Sequence, residues 1–216
     1  MTDIKRQEFE FEISRITNII FKAQEAYLIV KYLSSNENDD YTSYEKNMNS
    51  FFAYSKAIYW QVTVIELSKL YIDRERFNLI KFLNKLKPNG HFASINISES
   101  KVIEWQERIS QSQSLIDNLK SQRDKVYAHD DSDNNVENIV SIEDTLKILT
   151  IAHEIAKEIN NTHFKRSIMF DMLNSPAANL KYNIERLVSE KKNSMEKYRE
   201  IAKQYGLEDE LPPVTE

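Results

Sequence analysis

The 216-residue sequence contains no cysteine, only 2 glycines and only 4 prolines. The absence of cysteine excludes disulfide bonds and thiolate chemistry. An all-β protein needs many turns, and turns favour glycine and proline, so the scarcity of both residues indicates an all-α fold. Hydrophobic residues make up 41% of the chain and charged residues 29%, which is enough apolar material for a folded core. We expect one domain, with or without an extension.

Long apolar runs and a positive net charge are also missing. No run approaches the roughly 18 residues that a membrane span needs. The N-terminus, MTDIKRQEFEFEISRITNII, is rich in acids and lacks the apolar core of a signal peptide. We therefore expect a cytoplasmic chain that has no membrane partner. The formal net charge of −5 is unlike that of a general nucleic-acid coat protein, so a nucleic acid would have to bind through a small local patch.

Apolar residues recur at spacings of three and four in the first half of the chain, which is typical of helices. The first helix is predicted to bury one face, made of Phe9, Ile13, Ile16, Ile20, Ala23, Tyr27 and Val30. A second helix, about 44–73, has two apolar stripes and is predicted to be central, with neighbours on both sides. The stripes are Tyr44, Met48, Phe51, Ile58, Val62 and Ile65, and Trp60, Val64, Leu67 and Tyr71. A shorter helix, about 75–87, ends at KPNG, and 91–97 reads as a loop.

Three further helices follow in the second half. The first begins near Ser98, and its stripe is Val102, Trp105, Ile109, Ser112, Ile116, Leu119, Arg123 and Val126. After a polar connection, Ser141 is predicted to cap a helix that buries Thr145, Ile148, Ala152, Ile155 and Ile159. Ser175 and Pro176 are predicted to begin the last helix, with the stripe Leu180, Ile184, Leu187, Met195, Tyr198 and Ala202, and Gly206 to end it.

These elements predict an all-α, up-and-down helical bundle over 1–170. An additional C-terminal helix over 175–206 would pack on the bundle or project from it. Residues 207–216 would form a loose tail.

The stretch RDKVYAHDD, residues 123–131, departs from its surroundings. Arg123 occupies a stripe position where an apolar residue is expected, and arginine is rarely buried without a partner. Either its guanidinium extends to solvent where the stripe ends, or it belongs to a site. His129 lies six residues further on, and α-helical geometry does not guarantee contact between the two side chains within one chain. A two-fold dimer packed along this helix end would let two arginines and two histidines converge, while a lone histidine at a helix C-terminus is also favoured as a cation.

RDKVYAH resembles the R-x(4–6)-H motif of the HEPN superfamily, in which arginine is followed by Asn, Asp or His, a spacer and then histidine. YWQVTVIELSKLYID, residues 59–73, the helix after it and the spacing to the motif resemble the HEPN proteins of bacterial abortive-infection systems. The resemblance covers roughly residues 10–165 and leaves the last helix, from Pro176, outside. It implies that the bundle is HEPN-like.

Many HEPN proteins are metal-independent ribonucleases that act as dimers and use no cofactor. The resemblance implies that Arg123 holds the scissile phosphate and that His129 moves protons. The nucleophile would be the 2′-hydroxyl of the RNA itself. Asp124, at the polar position after the arginine, would orient Arg123 or His129. Tyr127 would either stack on a base or be a buried aromatic.

The resemblance also implies partners: RNA, a second copy of the chain, and a cognate antitoxin or another defence-system protein. Some members end the motif with His-x-Tyr, and the tyrosine is a target of nucleotidyl transfer. This chain departs from that ending, because Asp130 and Asp131 follow His129. Three interpretations stay open. The chain is a HEPN-type endoribonuclease of phage defence or a toxin, a non-catalytic HEPN-like module that binds a partner protein, or a bundle in which Arg123 and His129 are incidental. The position of Arg123 favours the first, and the acids beside His129 favour the second.

Overall fold

The computed structural model of the chain describes residues 3–35, 40–128, 140–170 and 175–207. Every regular element in these residues is helical, and none is a strand. The predicted all-α helical fold is therefore confirmed. The α-helices are α1 (Asp3–Ser34), α2 (Asp40–Met48), α3 (Ser50–Tyr71), α4 (Leu79–Leu86), α5 (Glu99–Gln111), α6 (Gln113–Gln122), α7 (Ile142–Ile159) and α8 (Pro176–Tyr205). A 3₁₀ turn spans Ala93–Ile95, and π-helical turns span Arg123–Ala128 and Asn160–Phe164.

The predicted second helix is two helices, α2 and α3, which are separated at Asn49. The Asn49 amide explains the break, because its Nδ2 donates to Oε1 of Glu45 at 2.6 Å and its Oδ1 accepts from the N–H of Phe51 at 3.0 Å. An asparagine side chain that binds the backbone two residues ahead competes with the helical pattern. The predicted third long helix is likewise divided at Ser112 into α5 and α6.

The break at Asn49 also overturns part of the predicted burial. Tyr44, Phe51 and Ile58 of the first stripe are 61%, 66% and 38% exposed, so the prediction that this stripe is buried is wrong. The stripe was predicted for one continuous helix. The break between α2 and α3 changes the helical register, so residues on either side of it no longer share one face. Phe52, the neighbour of Phe51, is 5% exposed and takes the buried position instead.

The described residues fall into two compact units. Unit 1 lies within Met1–Tyr27 and Tyr59–Met172, and unit 2 within Leu28–Ile58 and Leu173–Glu216. The predicted division at residue 170 stays a prediction. In unit 1, α4 packs on α5, and α5 and α6 pack on α7. The predicted faces of the first helix and of α7 are buried as expected. The large side chains of the unit 1 core include Phe9, Ile16, Leu67, Phe82, Trp105 and Ile155.

In unit 2, α8 packs through its first half. Ala177, Ile184 and Val188 form one apolar cluster with buried residues of the end of α1 and the start of α3, namely Ile29, Leu33 and Phe52. The predicted stripe placed Leu187 on this face, but Leu187 is 41% exposed, and Val188, four residues after Ile184, is buried in its place. Lys191 forms an ion pair with Glu45, which is 3% exposed. This pairing with Lys191 lowers the pKa of the Glu45 carboxyl below its ordinary value, so the buried acid stays charged.

Three predicted helix ends are confirmed by their hydrogen bonds. Ser141 Oγ accepts from the N–H of Asp144 at 3.0 Å, and Ser175 Oγ accepts from the N–H of Ala178 at 3.2 Å. Gly206 ends α8 with a φ of 67°, a left-handed conformation that glycine adopts without strain.

No helix in the described part of the chain is both long enough and apolar enough to cross a membrane.

Ile109→Ala should lower the free energy of unfolding by about 2–5 kcal/mol, because this α5 side chain is 2% exposed and its removal leaves a cavity. Ile103→Ala, on the same helix at 43% exposure, is the matched control and should change it by less than about 0.5 kcal/mol. Urea denaturation followed by circular dichroism measures both. Equal losses in the two variants would contradict this assignment of the buried face.

Candidate functional site

Arg123 lies at the end of α6, where the buried apolar stripe of α5 and α6 ends. Ile116 and Leu119, which precede it on this stripe, are 4% and 1% exposed, whereas 25% of the Arg123 side chain is exposed. Its Nη2 donates to Oε1 of Glu75 at 2.8 Å. The guanidinium therefore ends in a half-buried ion pair rather than in bulk solvent alone, as an arginine at a core-facing position requires.

Glu75 lies in the non-helical segment 72–78 between α3 and α4, part of which was predicted to be helical. Its N–H donates to the carbonyl oxygen of Ile72 at 3.1 Å, which closes a turn. Lys81 of α4 donates from Nζ to the carbonyl oxygens of Asp73 and Glu75, the second at 3.3 Å. The side chain of Asn78 caps α4 by accepting from the N–H of Lys81 at 2.9 Å, so α4 begins at Leu79. These bonds fix the backbone that presents the Glu75 carboxylate to Arg123.

A π-helical turn begins at Arg123 and runs to Ala128. Its hydrogen bonds join residues five apart rather than four, so it is wider than an α-helix, and such turns are frequent at functional sites. The α-helical geometry assumed after Arg123 therefore does not apply as far as Ala128. His129 lies outside the described residues. The backbone of Tyr127 belongs to the turn, but its side chain also lies outside what the structure describes.

A cleft of about 650 Å³ opens beside Arg123, between the segment that follows α3 and the outer side of α6. This volume falls in the range of small-molecule sites. Acidic and basic side chains line it in equal number, so a phosphate would meet both attraction and repulsion there. The cations are Arg74, Lys120 and Arg123, and the acids are Asp73, Asp117 and Asp124.

Asp124 lines the same cleft as Arg123. Within the described residues Arg123 forms its ion pair with Glu75, and no hydrogen bond joins it to Asp124. The orienting contact that holds Arg123 is thus supplied by Glu75. The role predicted for Asp124 toward His129 stays a prediction.

Tyr71 closes one wall of the cleft from the end of α3. Its hydroxyl donates to the carbonyl oxygen of Ile148 in α7 at 2.8 Å, and burial raises the pKa of this hydroxyl above its ordinary value. The phenol therefore stays protonated, and its hydrogen bond fastens the end of α3 to α7.

Three residues of the site, Arg74, Glu75 and Lys120, were not predicted from the sequence. One signal pointed to Glu75 in general terms, since an arginine in an apolar stripe requires a carboxylate. The chain has 34 acidic residues, and Glu75 is 48 positions away from Arg123, so the spacing could not single it out.

Comparison with models of protein families matches residues 7–181 to the HEPN_AbiU2 family, which is described as AbiU2. The resemblance predicted from RDKVYAH and the segment 59–73 is thereby confirmed. The match extends beyond residue 165 and includes the start of α8, from Pro176 to Lys181, which was expected to lie outside. Neither the curated proteins nor the solved structures give a match to the chain.

A double-mutant cycle on Arg123→Ala and Glu75→Ala should give a favourable coupling of up to about 1 kcal/mol in the free energy of unfolding. The pair is only 25% and 29% exposed, so salt should screen it less than it screens the Arg186–Glu190 pair, at 68% and 61%. Denaturation at low and high salt measures both couplings. Additive losses at Arg123 and Glu75 would mean that the pair does not form in solution.

Proposed function

The chain belongs to the HEPN_AbiU2 family, a HEPN family associated with abortive infection systems, and from this premise we propose that it is a metal-independent endoribonuclease that acts in phage defence or as a toxin. The observation that carries the proposal is the placement of Arg123. It is the first residue of the family-like motif, and it is held by Glu75 at the wall of a cleft large enough for a nucleotide. We propose that it acts in the cytoplasm, where its RNA substrate is found.

Arg123 binds the scissile phosphate in this proposal. A guanidinium carries five N–H donors, and Glu75 engages one nitrogen of it, which leaves donors for the phosphate oxygens. A guanidinium that is already oriented stabilises the charge that develops on the phosphorane without reorganising during the reaction. Glu75 is therefore a positioning residue, and Arg123 is the residue that touches the substrate.

The RNA supplies its own nucleophile. The 2′-hydroxyl attacks the adjacent phosphorus, the bond from O2′ to phosphorus forms and the bond from phosphorus to O5′ breaks. The products are a 2′,3′-cyclic phosphate and a 5′-hydroxyl. One His129 imidazole takes the 2′ proton, and a second, as imidazolium, gives a proton to O5′, because the pKa of histidine lies near neutrality. Asp124 orients His129, and Tyr127 stacks on a neighbouring base.

A homodimer fits this chemistry, because the motif offers one histidine per chain and the reaction uses two proton-transfer groups. A two-fold axis near the end of α6 would bring both copies of the motif to one cleft. A cognate antitoxin or another defence-system protein would regulate such an enzyme.

A non-catalytic HEPN-like module that binds a partner protein is the second candidate. The three carboxylates of the cleft, Asp73, Asp117 and Asp124, favour it, because they repel a phosphate and suit a basic protein surface. Asp130 and Asp131 in the sequence add to this acidic character.

The purified protein should cleave single-stranded RNA in the presence of EDTA, because no proposed step uses a metal. The products should carry 2′,3′-cyclic phosphate or 3′-phosphate ends, and DNA, which lacks the 2′-hydroxyl, should survive. His129→Ala should reduce cleavage by about 10²–10⁴-fold, since it removes the acid–base group. Arg123→Lys should also lose most activity, because an ammonium keeps the charge but not the planar fork of donors. Gel analysis of end-labelled RNA measures each effect.

Arg186→Ala, an exposed arginine of α8, is the control for this series and should leave cleavage unchanged. Cleavage that persists in both the His129 and the Arg123 variants would come from another site or a contaminant and would contradict the proposal. A wild-type protein that cleaves no RNA would favour the non-catalytic module.

Light scattering at micromolar concentration should report twice the 25.5 kDa mass of the chain, because a site with one histidine per chain is incomplete in a monomer. Mixing wild type with an excess of His129→Ala protein should lower the activity per wild-type chain, because a mixed dimer keeps only one of the two histidines that the reaction uses. A monomer that cleaves RNA at full rate would contradict the composite site.

A further inference from the structure

Unit 1 contains an aromatic–arginine cluster, which consists of Phe11, Arg15, Arg76 and Phe77. The rings of Phe11 and Phe77 meet edge to face, with centroids 5.9 Å apart and planes at 69°. The guanidinium carbon of Arg15 lies 5.3 Å from the centroid of Phe11 and 6.0 Å from that of Phe77. The guanidinium carbon of Arg76 lies 5.3 Å from the centroid of Phe77. Two cations and two rings therefore share one small surface.

This cluster has capacity for a ligand. Phe11 is 48% exposed, and Arg15 and Arg76 are both exposed. Within the described residues neither arginine has a carboxylate partner, and both guanidiniums lie against the rings. Their N–H donors are thus available to an anion, and the flat faces of ring and guanidinium are available to another planar group.

A cleft of about 410 Å³ borders the cluster, and its two carboxylates are already engaged. Glu8 Oε2 lies 2.7 Å from Nε2 of His91, and Lys85 Nζ donates to both carboxylate oxygens of Glu12 at 2.6 and 2.8 Å. Lys85 balances the charge of Glu12 and His91 contacts Glu8, whereas Arg76 has no carboxylate partner within the described residues, so its guanidinium is available to an incoming phosphate. The first cleft differs, because none of its three acids forms an ion pair within the described residues.

The far wall of this cleft depends on Gly90. A Cβ at this position would lie 2.3 Å from the carbonyl oxygen of Lys85, so only glycine lets the chain approach the end of α4 so closely. The N–H of Phe92 donates to the same oxygen at 2.7 Å, and Phe92 is 1% exposed. This turn places His91 against Glu8, and it makes the cleft a built feature of the fold.

The cluster and the candidate active site share the segment 72–78. Arg74 lines the first cleft, Glu75 pairs with Arg123, and Arg76 and Phe77 line the second cleft. Three residues span at most about 11 Å, since an extended chain rises roughly 3.3–3.6 Å per residue. The Cα atoms of Arg74 and Phe77 thus lie within this distance. A short single strand of nucleic acid can therefore reach both clefts.

We propose that the aromatic–arginine cluster binds an unpaired base, and the phosphate beside it, of a single-stranded RNA whose scissile phosphate lies at Arg123. The inference rests on the proposed function, because that function is the reason for identifying the ligand as RNA. Bases stack on aromatic rings and guanidinium planes regardless of sequence, and arginine binds the phosphate. A duplex keeps its bases stacked on each other, so the cluster selects single strands. It also gives a chain of net charge −5 the local positive patch that RNA binding requires.

The probe is a fluorescein-labelled single strand of 2′-O-methyl ribonucleotides, which no 2′-hydroxyl chemistry can cleave. Fluorescence anisotropy measures its Kd for wild type, for the double variant Phe11→Leu/Phe77→Leu and for Arg76→Gln. Leucine keeps the apolar volume but removes the flat face. Phe51→Leu, at 66% exposure, and Arg186→Gln are the matched controls. Circular dichroism confirms that each variant is folded.

The wild type should bind the single strand more tightly than the matching duplex. The double variant should raise Kd about tenfold or more, the usual effect of losing a stacked base. Arg76→Gln should raise Kd and reduce the slope of log K against log salt by about 0.7, as expected for one lost phosphate contact. The controls should match wild type. A wild type that does not bind the single strand, or a Kd that is the same in all variants, would overturn the inference.

Failure of this inference and failure of the proposed function give different results, because the probe is not a substrate. Unchanged Kd in the cluster variants, together with RNA cleavage that depends on Arg123, would overturn only the role of the cluster. Stacking-dependent binding by a protein that cleaves no RNA would support the cluster and overturn the enzyme. Binding of polyglutamate in preference to the oligonucleotide would show that the cluster serves an acidic protein partner and would overturn the inference.

Discussion

The ion pair between Arg123 and Glu75 is the contact on which the candidate site depends. An arginine at the end of a buried stripe is costly unless a carboxylate meets it, and the pair joins the end of α6 to the segment that follows α3. Because Glu75 is held there, its neighbours Arg74 and Arg76 line two different clefts. The Arg123–Glu75 pair thus lies between the proposed phosphate-binding cation and the surface that we assign to the RNA strand.

The helices could be predicted from the sequence wherever a local pattern, an apolar period or a capping residue, determines the buried face or the helix end. The face of α1 follows from a single unbroken period, and the starts of α7 and α8 follow from Ser141 and Ser175, which satisfy backbone donors within three residues. The prediction failed where a side chain interrupts the period. The Asn49 side chain accepts a hydrogen bond from the backbone of Phe51 and interrupts the helix. The apolar stripe that was predicted to run across this position is therefore exposed at Tyr44, Phe51 and Ile58. Apolar periodicity alone does not distinguish a buried stripe from a surface that awaits a partner.

The candidate site could be predicted only in part, for a different physical reason. The unusual position of Arg123 is visible in the sequence, because it breaks an apolar pattern. Its partner Glu75 and the cluster around Phe77 depend on long-range contacts, and no local spacing encodes them. The π-helical turn over Arg123–Ala128 could not be predicted from a periodicity of 3.6 either, because its hydrogen bonds join residues five apart. A short motif therefore identified Arg123 as a candidate site residue, whereas the fold determined which neighbour orients it.

The proposed site places a cation of a negatively charged chain where a phosphate is to react. A structure of the protein bound to a 2′-O-methyl RNA strand tests this most directly, since the substrate stays intact in the site. We expect a phosphate whose oxygens lie roughly 2.7–2.9 Å from the guanidinium nitrogens of Arg123, with Glu75 still paired to Arg123 and His129 beside the 2′ or 5′ oxygen. A strand bound elsewhere, with no phosphate in contact with Arg123, would contradict it.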